Sequence, residues 1–409
     1  MTEHIPSGFE AINAASRALY PKESMLAVET KRKRLFIGLP KETSLQENRL
    51  GLTPEAVRQL TDQGHEIWVE SGAGSPSKYS DHEFSEAGAR VVYATTEIYE
   101  ADIILKIAPP TYEEIESFRP GQTLISALQQ GNLTAEYINA LCRKKINAIA
   151  FEFLKDKSDT RPVVRAMSEI AGSTVMQVAA EYLSSSNDGK GIILGGITGV
   201  PPTQVVILGA GTVAEFATRA ALGLGAEVKV FDDHIYKLRR LKQNIAAQLF
   251  TSTLDGAILN NALKQADVVI GAFSVKEGRP SLIISESIVS QMNPGSIIID
   301  VCIDQGGCFE TSELTTHSRP VFRKYDIIHY CVPNIASRVP RTATNALSNI
   351  FTPIFIEISK YGGVNETLFT HEYYRSGVYI YKGSLTNQMI AKKFNMRYKE
   401  LSLMIAVRN

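Results

Sequence analysis

The 409-residue chain has no excess of either charge: 43 basic residues meet 43 acidic ones. Such a balance supplies no overall field to recruit nucleic acid or an anionic membrane surface. No apolar run is long enough to span a bilayer, and the first residues lack the charged and apolar regions of a secretory signal. Cysteine is scarce. Cys142, Cys302, Cys308 and Cys331 show no C-x-x-C pairing, which argues for a reducing cytoplasm, for thiols acting as small buried groups, and against structural zinc. Internal repeats and low-complexity segments are missing too. The length exceeds what one small core serves, so two domains are expected.

What is present is organised around VVILGAGTVAEFATRAALGLGAEVKVFD, from Val205 to Asp232. A β-branched run passes through Gly209-Ala210-Gly211-Thr212-Val213-Ala214 into an Ala- and Leu-rich helix, and a second apolar strand ends on Asp232. A lone G-x-G-x-x-A is a weak signal. Here strand, turn, helix, strand and terminal acid follow in order, as in one βαβ half of a dinucleotide-binding sheet. Gly209 permits the tight turn, and Gly211 removes a Cβ from the approach of a pyrophosphate. Thr212 and Val213 open the helix whose unpaired amides and dipole would hold the phosphate charge, and Ala214 lets that helix pack close to the strand. Asp232 stands where a carboxylate accepts ribose hydroxyls. With Asp233 beside it, a 2′-phosphate would meet like charge, so NAD is expected rather than NADP.

The fold class expected from the alternation of strands and helices is α/β, with two Rossmann-like, doubly wound parallel sheets flanking a cleft. Residues 1–34 read as an extension whose one conspicuous feature is the run Lys31-Arg32-Lys33-Arg34. Strands are expected at Leu35–Leu39, His65–Glu70, Arg90–Tyr93, Asp102–Ile107, Leu124–Leu128 and Phe151–Leu154, and Thr53 should cap a helix with Pro54 at its first position. From Ala166 a helix leads to the second domain, and two roles are open to Ser168: helix cap or phosphate contact. Lys106 follows Ile103-Ile104-Leu105 and so projects from the carboxyl end of a strand, the edge at which open α/β sheets bind ligands. An exposed lysine at a strand end is the duller alternative. Asp304, after the run Ser296–Cys302, lies on the equivalent rim of the second sheet, free to orient a nicotinamide, bond a substrate, move a proton or merely cap the Gly306-Gly307 turn. The strand Ile327–Cys331 leads to Asn334-Ile335 on that same rim. Helix follows from Asn345, interrupted at Pro353, then a strand at Val378–Tyr381 and a helix starting at Ser384-Leu385-Thr386. No strand of this tail suits the edge of the nucleotide sheet, so it should return to the first domain. The expected division is 35–165 with 341–409 as the substrate domain and 166–340 as the NAD-binding domain.

The loop KETSLQENRLGLTPEAV, the strand ADIILKIAPP, MSEIAG, the glycine turn itself, IIIDVCIDQGGCFETSELTTHSRPVF, HYCVPNIASRVPRTAT and YKGSLTNQMIAKKF together resemble the alanine dehydrogenase family, whose wider group includes the nucleotide-binding subunit of proton-translocating transhydrogenase. The likeness runs from about Leu35 to about Tyr398. It implies oxidation of L-alanine by NAD to pyruvate and ammonium, the reverse amination, and usually a homo-hexamer. By the same resemblance Arg49 would hold the substrate carboxylate, as suits its planar fork. Lys106 would polarise the carbonyl or imine end, and Asp304 would face the nicotinamide and reacting centre. Ser168, Asn334 and Ile335 would line the pyrophosphate and nicotinamide pocket.

One position departs from the family. Where alanine dehydrogenases carry a proton-transferring histidine, this chain has Ala127-Leu128-Gln129-Gln130. Gln129 can bond a substrate but has no pKa in range, so Asp304 or Lys106 is left to carry the proton step. General acid–base help is typically worth ~10²–10⁴ in rate, so its loss would slow turnover without abolishing it. Two further readings stay open: an NAD(H)-binding homologue with weak or no turnover, as in the transhydrogenase subunit, or a related dehydrogenase acting on another amino acid or 2-oxo acid.

Overall fold

The computed structural model describes residues 32–44, 46–128, 133–273 and 283–406. Expectations for residues 1–31 and for Gln129 and Gln130 therefore lie outside the described residues.

Six short strands are laid down first: β1 Phe36–Leu39, β2 Glu66–Glu70, β3 Arg90–Val92, β4 Ile103–Leu105, β5 Thr123–Ser126 and β6 Asn147–Ala150. Seven more follow: β7 Gln204–Leu208, β8 Glu227–Phe231, β9 Phe250–Ser252, β10 Val268–Gly271, β11 Ile297–Asp300, β12 Val321–Lys324 and β13 Ile327–Tyr330. The chain ends its sheets with β14 Val378–Tyr381 and β15 Ser384–Leu385. Two sheets result, ordered β15-β14-β6-β5-β4-β1-β2-β3 and β12-β13-β11-β10-β7-β8-β9. Both are doubly wound and largely parallel, as expected, with antiparallel pairing only at β6–β14–β15 and β12–β13.

Helices cover both faces of each sheet, so strand residues are buried on alternate sides. Ile103 and Leu105 join one core and Ile104 another; Val205 and Ile207 face one side of the second sheet, Val206 and Leu208 the other. That explains why these strands read as continuous apolar runs. Each fully buried Val, Leu or Ile supplies roughly 1.5–3 kcal/mol of transfer free energy.

Two long helices pass between the sheets and pack on one another, Pro162–Leu183 and Pro340–Lys360. The first begins four residues before Ala166, because Pro162 supplies a preset φ at the first turn. Ser168 therefore lies inside the helix and cannot be its cap. The second begins at Pro340 rather than Asn345 and continues through Pro353. Two other expectations move. The strand expected at Phe151–Leu154 is Asn147–Ala150, followed by a 3-10 turn over Phe151–Phe153. Ser384-Leu385 does not start a helix; it pairs back on Tyr381 and Ile380 across a tight turn in which Lys382 and Gly383 both have positive φ. The helix that follows is capped instead by Asn387, whose side chain accepts from the Ile390 amide. No described helix is long and apolar enough to cross a membrane.

Candidate active site

In each sheet the chain runs outward through three strands, then returns to start the other half beside the first. The switch lies between β1 and β4 in one sheet and between β7 and β10 in the other. Crevices for ligands open at such points. Arg49 follows β1 and Lys106 follows β4; the glycine turn follows β7. Asp232, Asp304 and Asn334 follow β8, β11 and β13.

The Arg49 loop is fastened by side chains of the Pro340–Lys360 helix. The amides of Leu50 and Thr53 donate to Thr344 Oγ1 (3.0 Å) and Ser348 Oγ (3.1 Å), and Thr53 caps the Pro54–Thr61 helix as expected. Arg49 is not free in solvent. Its Nε and Nη2 donate to the two oxygens of Glu47 at 2.7 and 2.6 Å, while Nη1 meets Met167 Sδ at 3.3 Å. Burial works against the Glu47 charge, but the Arg49 guanidinium together with hydrogen bonds from the Arg49 amide and Asn334 outweighs it and holds the carboxyl below its usual range. This loop also touches the rim of the second sheet: Asn334 Nδ2 donates to Glu47 at 2.7 Å, and the Asn48 amide to Ser337 Oγ at 2.8 Å.

Lys106 has a wholly buried side chain, its ammonium 2.9 Å from Glu114 and 3.2 Å from Glu42. Burial disfavours the ammonium, yet the two carboxylates more than compensate and its pKa is raised. Glu42 is pushed the other way from an ordinary paired acid: burial raises it, and Lys106 with the Ile107 amide offsets only part. The lysine thus stands inside a buried ion cluster at the strand end, not exposed as the duller alternative had it.

At the second switch point Gly209 has φ +108°, and a Cβ there would lie 2.3 Å from the Ala272 carbonyl oxygen. Only glycine fits. Gly211 is different, since beyond its two chain neighbours no atom of the described protein comes within 4 Å of where its Cβ would be. The Thr212–Gly223 helix begins there without a side-chain cap, so Thr212 and Val213 open an uncapped first turn. Ala214 is fully buried against the strand. Such a cradle of uncapped amides beside open room suits a phosphate group. Asp232 is buried at the end of β8, accepting from the amides of Ala210 and His234, both at 2.8 Å, with Lys237 Nζ at 3.7 Å. Ser168 lies one turn before Gly172, on the face that packs against this helix start, since a Cβ on Gly172 would meet the Val213 carbonyl at 2.4 Å.

Asp304 sits in a short 3-10 turn, Ile303–Gln305. Its side chain is exposed, while the protein around it raises its pKa by burial, with Asp300 adding to the rise. The Gly-Gly turn is capped not by Asp304 but by Asp300, which is why β11 stops there: its oxygens accept from the amides of Cys302 (3.1 Å) and Cys308 (2.8 Å) and from Ser312 Oγ (2.7 Å). Asn334 adopts the left-handed conformation, φ 61° and ψ 45°. Ile335 is 4% exposed, its side chain part of the second sheet's core.

The chain matches two family descriptions, "Alanine dehydrogenase/PNT, N-terminal domain" over residues 38–171 and "Alanine dehydrogenase/PNT, C-terminal domain" over residues 175–388. It is 36% identical over 366 residues to "Alanine dehydrogenase 2" of Staphylococcus aureus strain Mu50, covering 89% of this chain and 98% of that protein. The chain belongs to the alanine dehydrogenase/PNT family. A solved L-alanine dehydrogenase superposes with a TM-score of 0.82 at 34% identity, over 87% of this chain and 98% of its own. A transhydrogenase from Sinorhizobium meliloti shares the fold, with a TM-score of 0.73 at 23% identity over 86% and 99% of the two chains. The boundary between the two family segments falls inside the Pro162–Leu183 helix, with Met167 and Ser168 just before it and Gly172 between the two segments.

Several residues of this family member's cleft were not singled out from sequence: Glu42, Glu47, Glu114, Asp300 and Ser337. Glu47 and Ser337 meet partners far off in the chain, Glu47 meeting Asn334 287 residues away, whereas Glu114 lies eight residues from Lys106 and Asp300 bonds its own loop. Only Asp300 left a signal, an acid ending an otherwise apolar strand.

Proposed function

We propose that this family member is an NAD-dependent alanine dehydrogenase, oxidising L-alanine to pyruvate and ammonium and running the reverse amination. The observation that carries the reading is the meeting of the Arg49 loop with the Asn334–Ser337 turn, which brings the carboxyl rims of two doubly wound sheets together. The corresponding division is 35–165 with 341–409 as the substrate lobe and 166–340 as the cofactor lobe. A homo-hexamer in the cytoplasm belongs to the same reading; the four cysteines are free thiols.

NAD fits the second switch point, where Gly209, Gly211, Thr212, Val213 and Ala214 form the phosphate cradle, Asp232 stands at the ribose position and Ser168 borders the helix start. When bound, it supplies the acceptor for the hydride from the alanine α-carbon. Arg49 holds the substrate carboxylate with the edge of its guanidinium not taken by Glu47. Lys106, kept charged by Glu42 and Glu114, places a fixed cation toward the reacting end. Gln129 bonds the substrate without exchanging a proton, so Asp304, with its raised pKa and its place after β11, takes the proton. Asn334 and the backbone of Ile335 close the nicotinamide side.

NADH formation with L-alanine tests this directly. Wild-type protein should turn over, and Arg49→Ala should raise KM for alanine roughly tenfold to hundredfold, the value of a charge-assisted hydrogen bond. Absence of turnover with alanine and every small amino acid tried would sink the reading. The glutamine at position 129 favours one alternative, a nucleotide-binding homologue of little activity, and tight NADH binding without turnover would establish it.

A further inference from the structure

The Arg49 loop is held by a carboxylate that the reaction as described does not use. Glu47 is 6% exposed and gathers donors from both sides of the cleft. Its Oε1 accepts from Arg49 Nε (2.7 Å) and from the amides of Arg49 (2.9 Å) and Asn48 (3.1 Å). Its Oε2 accepts from Arg49 Nη2 (2.6 Å) and Asn334 Nδ2 (2.7 Å). Ser337 Oγ lies 3.2 Å from Oε1 and accepts from the Asn48 amide at 2.8 Å. A buried carboxylate is costly unless paired and fully hydrogen-bonded, and this one is both.

Two consequences follow from the geometry. A guanidinium has five N–H donors in a fixed fork. Glu47 takes the side edge, Nε and one hydrogen of Nη2, and so fixes the plane in which the end edge is presented. On that end edge Nη1 meets a thioether, Met167 Sδ at 3.3 Å, a weak acceptor that a substrate carboxylate displaces. Second, Asn334 and Ser337 belong to the turn after β13, on the cofactor side, and Arg338 of the same turn pairs with Glu181 of the Pro162–Leu183 helix. One carboxylate thus joins the substrate anchor to the turn that borders the nicotinamide.

We propose that Glu47 is a positioning residue that sets the edge Arg49 shows to the substrate and couples it to the Asn334 turn, so that cofactor and substrate bind cooperatively. The identity of the two ligands rests on the alanine dehydrogenase reading; the coupling rests on the contacts just given. Cooperative coupling of this kind is typically about 5- to 150-fold.

The test uses the full chain and Glu47→Gln, which keeps the shape of the side chain but turns one of its acceptors into a donor facing Arg49 or Asn334. NADH affinity is measured by fluorescence with and without pyruvate, beside KM and kcat for L-alanine. In wild type, pyruvate should tighten NADH binding at least about fivefold. In the variant that ratio should fall toward one, and KM should rise roughly tenfold or more while kcat falls less. An unchanged ratio, or a loss confined to kcat, overturns the proposal. Ser337→Ala, which removes the hydroxyl's contacts across the seam and leaves the Asn334–Glu47 bond, should lower the ratio in part; a wild-type ratio there also counts against coupling. Should wild type fail to turn over alanine, the substrate reading falls on its own. The coupling is then judged by hydrogen exchange of the ligand-free proteins: Glu47→Gln should speed exchange across residues 333–339, and unchanged exchange there rejects it.

Discussion

At the scale of single residues the cleft is built from acids that act on something other than substrate. Glu47 orients Arg49, Glu42 and Glu114 keep Lys106 charged, and Asp300 holds the loop that presents Asp304. The last of these has a measurable weight. Asp300 is fully buried and satisfies two backbone amides and a serine hydroxyl, while burial lifts its own pKa against those bonds. Removing the carboxylate relieves the cost of a buried charge but leaves two buried amides without an acceptor, each worth roughly 1–3 kcal/mol. The amides win. Asp300→Ala should therefore lose roughly 2–3 kcal/mol of stability in urea unfolding, and kcat should fall as Asp304 loses its fixed position. A loss under about 0.5 kcal/mol, the level of an inert surface change, would show that the loop is held by other means.

At the scale of elements, the close approach of the Pro162–Leu183 helix to the start of the Thr212–Gly223 helix decides where the phosphate cradle sits. Gly172 makes that approach possible, since a Cβ would lie 2.4 Å from the Val213 carbonyl, 2.8 Å from Phe216 Cβ and 3.0 Å from the Ala217 amide nitrogen. In an ordinary helix interior Gly→Ala gains about 1 kcal/mol. Here overpacking against backbone, typically costing ~1–3 kcal/mol, should reverse the sign. Gly172→Ala is expected to lower the melting temperature and weaken NADH binding together; a higher melting temperature would mean that the helices part without cost. This contact was not legible in the sequence, where Gly172 sits unmarked in MSEIAGSTV, because helical spacing tells which face a residue is on but not what it meets. Strands β1, β2, β3, β8 and β13 were legible to within a residue or two, being apolar runs bounded by turns. The misplacement at Phe151–Leu154 arose because β6 is built from Asn147, Ala148, Ile149 and Ala150, too small and polar to outweigh the aromatic run after it. Asn147 earns its buried place by accepting from the Lys382 amide, 235 residues on. The glycine turn, with strand and helix contiguous around it, could be read locally; the Glu42–Lys106–Glu114 cluster could not.

At the scale of the whole molecule, folding leaves several histidines neutral, and that sets how stability responds to acid. His65, His317 and His329 all have lowered pKa values, burial being the main cause in each, with Arg34 adding for His65. His329 shows why. It is fully buried on β13, stacked on Phe322, with Nδ1 donating to the Ile327 carbonyl (3.1 Å) and Nε2 accepting from Thr311 Oγ1 (2.8 Å). One donor and one acceptor satisfy a neutral imidazole, and a second proton would force the Thr311 hydroxyl to reverse. The charged groups facing it, Lys324 and Glu313, act in opposite senses. Because the unfolded chain binds these protons more readily than the folded one, stability rises with pH through this range. The histidine contribution is whole above the ordinary value of about 6.5 and is lost as pH falls below it. Glu42 and Asp300, with raised values, shift stability the opposite way on acidification, so the wild-type slope is a sum of opposing parts. A difference isolates one of them. Between pH 7.5 and 5.5 the melting temperature of His329→Gln should fall by less than that of wild type, and an equal or steeper fall in the variant would show that His329 takes no part in the acid response.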